Sequence, residues 1–166
     1  MHASRSFRLA FPVSIALLIA SSACADFTGK VVHVVDGDSI TVLHGREHVS
    51  VRLVDIDAPE HTQPFSNRSK RALEALVMGR TVLVVEHGQD RYHRTLARIY
   101  RGELDVNAEQ IRKGMAWVYR HHSADSNLEQ LEAEARKQGR GLWQGLEPVP
   151  PWEWRKTHDA HRTGTR

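Results

Sequence analysis

Three runs of β-branched and aliphatic residues, at roughly ten-residue spacing, constrain the fold of this chain most strongly. They cover residues 31–35, 40–43 and 49–53, and the turns Asp36-Gly37-Asp38 and His44-Gly45-Arg46-Glu47 separate them. Short turns that contain glycine, placed between such runs, are typical of an antiparallel meander. Pro59 follows the third run and ends it, because proline cannot donate to a strand ladder. The pattern therefore predicts three consecutive antiparallel strands.

The remainder of the chain alternates between helical and strand-like segments. Residues 66–78 read as a helix with Leu73, Leu76 and Val77 on one face, and residues 81–85 and 95–100 read as two further strands. Residues 105–113 read as a short helix, and the capping-box pattern at residues 126–129 opens a third helix that stops at Gly139. These elements are compatible with an α+β fold built on a five-stranded barrel with about three peripheral helices. The strand count alone does not separate this barrel from other α+β folds.

The first 25 residues have the composition of a signal peptide. Arg5 and Arg8 precede an apolar run over residues 11–20, and Ala23-Cys24-Ala25 has the small-x-small pattern of a signal-peptidase site. A membrane anchor fits less well, because the run is shorter than the roughly 20 apolar residues of a spanning helix. Cys24 as a lipidation site is a further alternative. We expect an exported protein, periplasmic or extracellular, with no membrane span in the mature chain.

The cysteine count and the net charge bear on how the mature chain is stabilised and on which partners it can bind. Cys24 is the only cysteine, so an exported chain cleaved after it relies on its hydrophobic core instead of disulfides. We expect one domain over residues 26–146 and a Pro/Trp-containing extension over residues 147–166, with a polar tail that is disordered from Thr157. Two of the 23 basic residues lie in the leader, so the mature charge is only about +1. Net charge is therefore a weak argument for a nucleic-acid partner.

An acidic segment follows the third predicted strand. Residues 52–60 read Arg-Leu-Val-Asp-Ile-Asp-Ala-Pro-Glu, with one arginine and three carboxylates. The turn Asp36-Gly37-Asp38 is ordinary hairpin chemistry when taken alone. Calcium, however, collects oxygen ligands from separate segments, and neighbouring strands of a meander bring the two acidic segments together. The two segments jointly predict a site for a hard divalent cation, with Arg52 beside it.

A second arginine-containing segment, residues 90–94, precedes the fifth predicted strand. A solvated basic turn is the plainer interpretation of Asp-Arg-Tyr-His-Arg. Hydrolysis of a phosphodiester, however, builds negative charge on the non-bridging oxygens, and arginine binds two such oxygens without losing its proton. Arg94 would then complete, with Arg52, a clamp that favours the transition state over the ground state.

These segments resemble the signature segments of the thermonuclease, or staphylococcal nuclease-like, family. The resemblance rests on residues 36–38, 52–60 and 90–94, which occur in the family's order and spacing, and it extends through residues 116–119 to 141–143. Secreted members often end in a segment similar to residues 151–155. The resemblance implies a calcium-dependent nuclease on a five-stranded OB-fold barrel, which acts on DNA and RNA and leaves 3′-phosphates.

The resemblance also implies roles for individual residues. Calcium would be held by two carboxylates and one backbone carbonyl, those of Asp38, Asp57 and Ala58. The reacting phosphate would be held by Arg52 and Arg94. Glu60 would orient or deprotonate the attacking water, and because a nearby cation lowers its basicity, orientation matters as much as proton removal.

Three positions, Ala58, His93 and Trp117, differ from the family pattern. Ala58 stands where Thr is frequent, which a carbonyl ligand tolerates. His93 stands where Gly is usual, so a positive φ there costs strain. Tyr92 and Tyr119 match nucleotide-contacting positions, and Trp117 stands where Tyr is frequent. Stacking on a base suits such aromatics, but ordinary packing is equally consistent with Trp117.

Two other functions remain as alternatives. A catalytically inactive OB-fold module that binds nucleic acid would share the fold, but it would be expected to lack one of the carboxylates or arginines. A periplasmic metal carrier rests on histidine content alone, and we interpret His44, His48 and the His121-His122 pair as surface residues. Asp55 has no predicted role at the cation and is expected to be structural or to act behind the ligands. We expect a monomer with no stable protein partner.

Overall fold

Five strands form a closed barrel in the structure, a computed structural model that describes residues 25–119, 125–145 and 148–163. The barrel strands are β1 (Phe27–Val34), β2 (Ser39–His44), β3 (Glu47–Leu53), β5 (Thr81–Gln89) and β6 (Thr95–Arg101). Strands β1, β2 and β3 form the predicted antiparallel meander. Strand β5 pairs antiparallel with β1, and β6 pairs antiparallel with β5. The barrel closes where β6 runs parallel to β3, which gives an α+β fold of the OB type, as expected.

Three two-residue strands add short pairings to the described part of the barrel fold. Strand β4 (Ile56–Asp57) directly follows β3 and pairs antiparallel with β8 (Trp117–Val118). Strand β7 (Leu104–Asp105) pairs with the end of β6. The β4–β8 pairing fixes the segment that contains Asp57 against a distant part of the chain.

The core lies inside the barrel and under its helices. Inward-facing strand positions carry fully buried Val and Ile side chains, which suit a pleated, half-buried surface. Leu73 and Val77 are both 0% exposed and project from the first helix onto this core, so the predicted helix face is confirmed. The largest buried strand side chains of the core are Val31, Val34, Ile40, Val42, Val51, Leu53, Ile56 and Ile99.

The helices agree with the predicted ones within a few residues. Helices α1 (Ser66–Val77), α2 (Val106–Arg112) and α3 (Ser126–Lys137) are followed by a 3₁₀ turn over Gly141–Gln144. The capping residue of α3 differs from the prediction. The side chain of Asp125, not Ser126, accepts from the backbone N–H groups of Asn127 and Leu128 at 2.9 and 3.3 Å. The helix therefore has its cap one residue earlier than the predicted capping box.

The C-terminal extension forms a fourth helix, α4 (Pro151–Thr163). The helix extends to Thr163, past Thr157, where we expected the polar tail to begin. The helix begins at Pro151, a residue suited to a first helical position, and the carbonyl of Pro150 accepts from the N–H groups of Glu153 and Trp154, both at 3.0 Å. Trp152 packs against a small cluster formed by Trp117, Ala135, Leu142 and Trp143. Apolar anchors at its start thus stabilise a helix whose later residues look disordered by composition.

Some predictions concern residues outside the described part. The proposed signal peptide, residues 1–25, lies outside it except for Ala25, and so does the His121-His122 pair. Within residues 25–119, 125–145 and 148–163, none of the helices has the length and apolar character that crossing a bilayer requires.

Candidate active site

The turn between β1 and β2 places Asp38 at the end of the barrel. The backbone N–H of Asp38 donates to the Asp36 carboxylate at 3.0 Å, which shapes the turn. Gly37 is required at its centre, because a Cβ there would lie 1.8 Å from Ser69 Oγ and 2.7 Å from Ala58 Cβ. The turn therefore packs directly against α1 and against the segment that follows β4.

Arg52 joins the two buried aspartates of the site. It lies opposite Ser39 in the β2–β3 ladder, which brings its guanidinium over the end of the β1–β2 turn. Its Nη1 donates to Asp38 Oδ1, and its Nη2 donates to Asp57 Oδ1 at 2.7 Å. Both carboxylate side chains are 1% exposed, whereas that of Arg52 is 19% exposed. The predicted grouping of Asp38, Arg52 and Asp57 is therefore present in the structure.

The residues on either side of β4 hold this group by backbone contacts. Asp55 has a positive φ of 61° and reverses the chain after β3. Its carbonyl accepts from the N–H of Tyr119 at 2.8 Å, so Asp55 has the structural role expected of it. The N–H of Ala58 donates to Asp38 Oδ2 at 2.6 Å, which ties the β4 segment to the β1–β2 turn.

Glu60 lies at the rim of the same group, with a side chain that is 39% exposed. Its backbone N–H donates to Gln63 Oε1 at 3.1 Å. Its carboxylate accepts from Nη1 of Arg155 at 2.5 Å. Glu60 is thus the most accessible carboxylate of the three, a position that suits contact with solvent water.

Arg155 is the site residue that the sequence did not reveal. It extends from α4, and its Nη2 donates to Asp57 Oδ2 at 2.8 Å while Nη1 lies 3.3 Å from Asp57 Oδ1. Burial opposes its charge, but the hydrogen bonds to Asp57 and Glu60 outweigh burial and raise the pKa of Arg155 above its ordinary value. The only signal available beforehand was the resemblance of residues 151–155 to the ends of secreted family members, which carries no role.

Arg94 lies apart from the aspartate group and is held by its own loop. Its Nη2 and Nε lie 2.7 and 2.8 Å from Asp90 Oδ2. Partial burial opposes ionisation of Asp90, but hydrogen bonds from the Arg94 and Tyr92 backbones and from the Arg94 side chain lower its pKa. His93 has a φ of 62°, a conformation that costs a histidine some strain. The loop tolerates the histidine and still orders Arg94.

The electrostatics connect the Arg94 loop with the β1–β2 turn. Burial raises the pKa of Asp36, while the positive charges of Arg52 and Arg94 act in the opposite direction. Both arginines therefore act on the same turn, although only Arg52 contacts Asp38 and Asp57. The structure brings the two predicted phosphate arginines to one end of the barrel, without a direct contact between Arg94 and the buried carboxylates.

The three predicted aromatic contacts have different surroundings. Tyr92 is 64% exposed, and the guanidinium groups of Arg91 and Arg94 lie 4.8 and 5.8 Å from its ring centroid. Tyr119 is half-buried, and its ring centroid lies 6.0 Å from that of Trp152. Both tyrosines keep the surface that a stacking contact needs.

Trp117 lacks the exposed surface that stacking on a base needs, and the prediction of a base contact there is wrong. Its side chain is 2% exposed and packs edge-on against Trp143, with ring centroids 5.5 Å apart. The residue belongs to β8, and the pairing of β8 with β4 turns the indole towards the 3₁₀ turn. Ordinary packing, the alternative considered for this residue, is what the structure shows.

The donor set suits a hard cation in its chemistry. Asp38 and Asp57 offer carboxylate oxygens and Ala58 a carbonyl, the oxygen ligands that calcium prefers. In this structure, guanidinium and backbone N–H groups engage those carboxylates. Among the residues that the structure describes, no three His, Cys, Asp or Glu side chains converge closely enough to hold a metal.

Comparison with known proteins identifies the family. The family model described as "Staphylococcal nuclease homologue" matches residues 50–145. This range includes Arg52, Asp57, Glu60 and Arg94 but neither Asp38 nor Arg155.

Several curated proteins resemble most of the chain. A protein named "Uncharacterized endonuclease" from Escherichia coli O157:H7 is 47% identical over 133 residues, which cover 80% of this chain and 87% of the relative. "Protein ParB" from Escherichia coli is 45% identical over 157 residues, or 88% and 89% of the two chains. A "Micrococcal nuclease" from Shigella flexneri is 39% identical over 158 residues, or 89% and 91%. The chain therefore belongs to the family of staphylococcal nuclease homologues.

Proposed function

We propose that this nuclease is a calcium-dependent phosphodiesterase that cleaves DNA and RNA with low sequence specificity and leaves 3′-phosphates. Its being a nuclease, and so a hydrolase, rests on the family and on relatives named endonuclease and micrococcal nuclease. The single observation that carries the finer proposal is the guanidinium of Arg52 bridging Asp38 and Asp57 beside the accessible carboxylate of Glu60. The proposed cation ligands and an anion-binding guanidinium are thus in direct contact.

Calcium is the cofactor that the donor chemistry favours. The carboxylates of Asp38 and Asp57, with the carbonyl of Ala58, would hold it. When bound, the ion would neutralise phosphate charge and polarise the phosphoryl group. Both carboxylate side chains are buried, that of Asp38 in the β1–β2 turn and that of Asp57 in β4, so few side chains need to become ordered when the cation binds.

Arg52 and Arg94 would bind the reacting phosphate. Each guanidinium presents several N–H donors in one plane and keeps its charge at any working pH. Arg52 lies nearest to the buried carboxylates, and Arg94 approaches from the β5–β6 loop, where Asp90 holds it. Asp90 accepts from Nε and Nη2 of Arg94, which sets the direction of the remaining donors. Their contribution would be largest as charge builds on the non-bridging oxygens.

Glu60 would act on the attacking water. Its side chain is exposed enough to reach solvent, and its backbone is fixed by Gln63. A carboxylate among cations is a weak base, so orienting the water contributes alongside accepting its proton. The geometry supports the assignment because Glu60 is the only one of the three site carboxylates whose side chain is substantially exposed.

Tyr92 and Tyr119 support low sequence specificity. A phenol ring stacks on any base without reading its hydrogen-bonding edge. Action on both DNA and RNA and the 3′-phosphate product follow from the family resemblance, and we propose them on that basis. We also propose a monomeric protein that is exported after removal of residues 1–25.

Digestion assays test this function. Purified protein is incubated with single-stranded DNA or RNA in calcium or in excess chelator, and the product ends are labelled with and without phosphatase treatment. We expect both polymers to be cut only with calcium, into products whose 3′ ends need phosphatase before they can be extended. Products with free 3′-hydroxyls would contradict the proposed cleavage direction. Binding without cleavage under every condition would support the inactive OB-fold module instead.

A further inference from the structure

Helix α4 inserts one guanidinium among the acidic side chains of the site. Arg155 Nη2 lies 2.8 Å from Asp57 Oδ2, and Nη1 lies 2.5 Å from Glu60 Oε1 and 3.3 Å from Asp57 Oδ1. The side chain of Arg155 is 39% exposed, whereas that of Asp57 is 1% exposed. Arg155 therefore covers the rim of the carboxylate group from the solvent side.

The oxygens that Arg155 engages differ from those that Arg52 engages. Arg52 donates to Asp38 Oδ1 and Asp57 Oδ1. Among the hydrogen bonds of the described residues, Asp57 Oδ2 and Glu60 Oε1 accept only from Arg155. A carboxylate has about four acceptor positions, and arginines use three of those of Asp57. A cation that binds Asp57 through Oδ2 would share that oxygen with the positively charged Arg155 donor, 2.8 Å away, and would be repelled by it.

Other contacts keep Arg155 in this place. Gln63 donates through Nε2 to the Val149 carbonyl at 2.6 Å and accepts the Glu60 N–H through Oε1 at 3.1 Å. One side chain thus links the backbone of Glu60 to the segment that leads into α4. Pro151 is buried, and Trp152 packs beside Tyr119. The start of α4 is therefore held by Gln63, through Val149, and by Tyr119, through Trp152.

We propose that Arg155 competes with the divalent cation for Asp57 and Glu60, and that cation binding releases α4 from the site. This inference rests on the proposed function of the same carboxylates. While Arg155 holds Glu60 Oε1, that oxygen is engaged with a guanidinium and not with water. A cation of charge +2 replaces a group of charge +1 at Asp57, which frees Glu60 for the water it acts on.

A preorganising role for Arg155 predicts the opposite behaviour. If Arg155 only held Asp57 and Glu60 in a cation-ready arrangement, its removal would leave two like charges to repel each other and would weaken cation binding. Competition predicts that its removal strengthens binding. The sign of the change in calcium affinity therefore separates the two roles.

Calorimetric titration of calcium is the first test. The purified wild-type protein is compared with Arg155→Gln and with Lys156→Gln, a control that removes one positive charge from the next, exposed residue of α4. We expect Arg155→Gln to bind calcium roughly five- to tenfold more tightly, as loss of a competing ion pair implies. The control should stay within about twofold of wild type, because the Lys156 side chain is exposed and its charge is screened by salt. Equal or weaker binding by Arg155→Gln would overturn the proposal.

Hydrogen exchange of the α4 amides is the second test and needs no catalysis. Exchange reports local opening of a helix. In wild type, calcium should speed exchange over residues 151–163 relative to chelator, whereas Arg155→Gln should exchange fast in both conditions. If calcium slows exchange in wild type, the ion recruits α4 and does not release it, and the proposal is wrong.

Failure of this inference is distinguishable from failure of the proposed function. If wild type needs calcium for cleavage but Arg155→Gln binds calcium no better, only the proposed competition by Arg155 is refuted. If neither protein binds calcium by calorimetry and cleavage proceeds in chelator, the calcium assignment falls, and competition by Arg155 falls with it.

Discussion

Arg52 Nη2 lies 2.7 Å from Asp57 Oδ1, and the carboxylate it meets is 1% exposed. A buried carboxylate carries a large desolvation cost unless it is paired. The same guanidinium also reaches Asp38. The pairing therefore makes Arg52 a structural residue as well as a candidate phosphate ligand, and we expect substitutions of Arg52 to change stability and catalysis together.

Replacement of Arg52 should show the effect on stability. Arg52→Gln leaves Asp38 and Asp57 buried without their shared cation, so we expect a loss of about 3 kcal/mol in the free energy of unfolding in chelator. Urea denaturation measures it. Calcium should restore part of that loss, because the ion supplies the missing positive charge. A variant as stable as wild type in chelator would show that the pairing contributes little.

Glu60→Gln should separate catalysis from folding. Its side chain is 39% exposed, so the fold should tolerate the amide, whereas kcat should fall by roughly 10²- to 10⁴-fold through loss of the carboxylate. Steady-state hydrolysis and thermal unfolding measured on the same preparation check this. Retention of more than a tenth of the wild-type kcat would remove Glu60 from the reaction.

Arg94→Ala should lower turnover by about 10²- to 10³-fold and leave the fold intact, because Arg94 bonds within its own loop. Arg46→Ala is the matched control, since Arg46 is an exposed arginine in the β2–β3 turn. We expect the control to hydrolyse DNA at close to the wild-type rate. Equal rates for both variants would exclude Arg94 from the phosphate clamp.

The capping residues of α2 and α3 predict a pH dependence of stability that does not involve the site. Arg98 bonds Asp105, the cap of α2, and Asp125, the cap of α3. Its hydrogen bond is the largest influence on Asp125 and lowers the pKa of that carboxyl. Stability from this pair is therefore present above the ordinary Asp pKa of about 3.9 and is lost as pH falls through the lower folded value.

Asp125→Asn tests that dependence, because it keeps a capping oxygen and removes the charge. We expect it to be about 1 kcal/mol less stable than wild type at pH 7. The difference should shrink as the pH is lowered below about 3.9. Urea midpoints collected at several pH values supply the comparison, and a difference that grew on acidification would contradict the sign derived from the pKa.

The parts of the fold that depend on local patterns could be predicted from the sequence. The meander followed from the alternation of residues and from two Gly-bearing turns, and Leu73 and Val77 marked the buried face of α1. The parallel pairing of β3 with β6 joins segments far apart in the chain, and no local pattern encodes it. It was expected only through the family resemblance.

The candidate site likewise combines residues that local patterns predicted with a residue that they did not predict. Asp38, Arg52 and Asp57 meet because the β2–β3 register and the β4 turn are short-range features. Arg155 meets Glu60 across 95 positions of sequence, and its helix rests on anchors such as Trp152 that composition does not distinguish from a disordered tail. Trp117 was open to two interpretations because an aromatic residue has the same sequence signature whether it lies at a rim or in a core.

The rate of single-stranded DNA hydrolysis as a function of free calcium tests the central claim most directly. With calcium buffered by a chelator, the rate for the wild-type protein should rise to a plateau, fall to background when chelator is in excess, and recover when calcium is added back. A rate in excess chelator equal to the rate at the plateau would contradict a calcium-dependent site built on Asp38, Asp57 and Arg52.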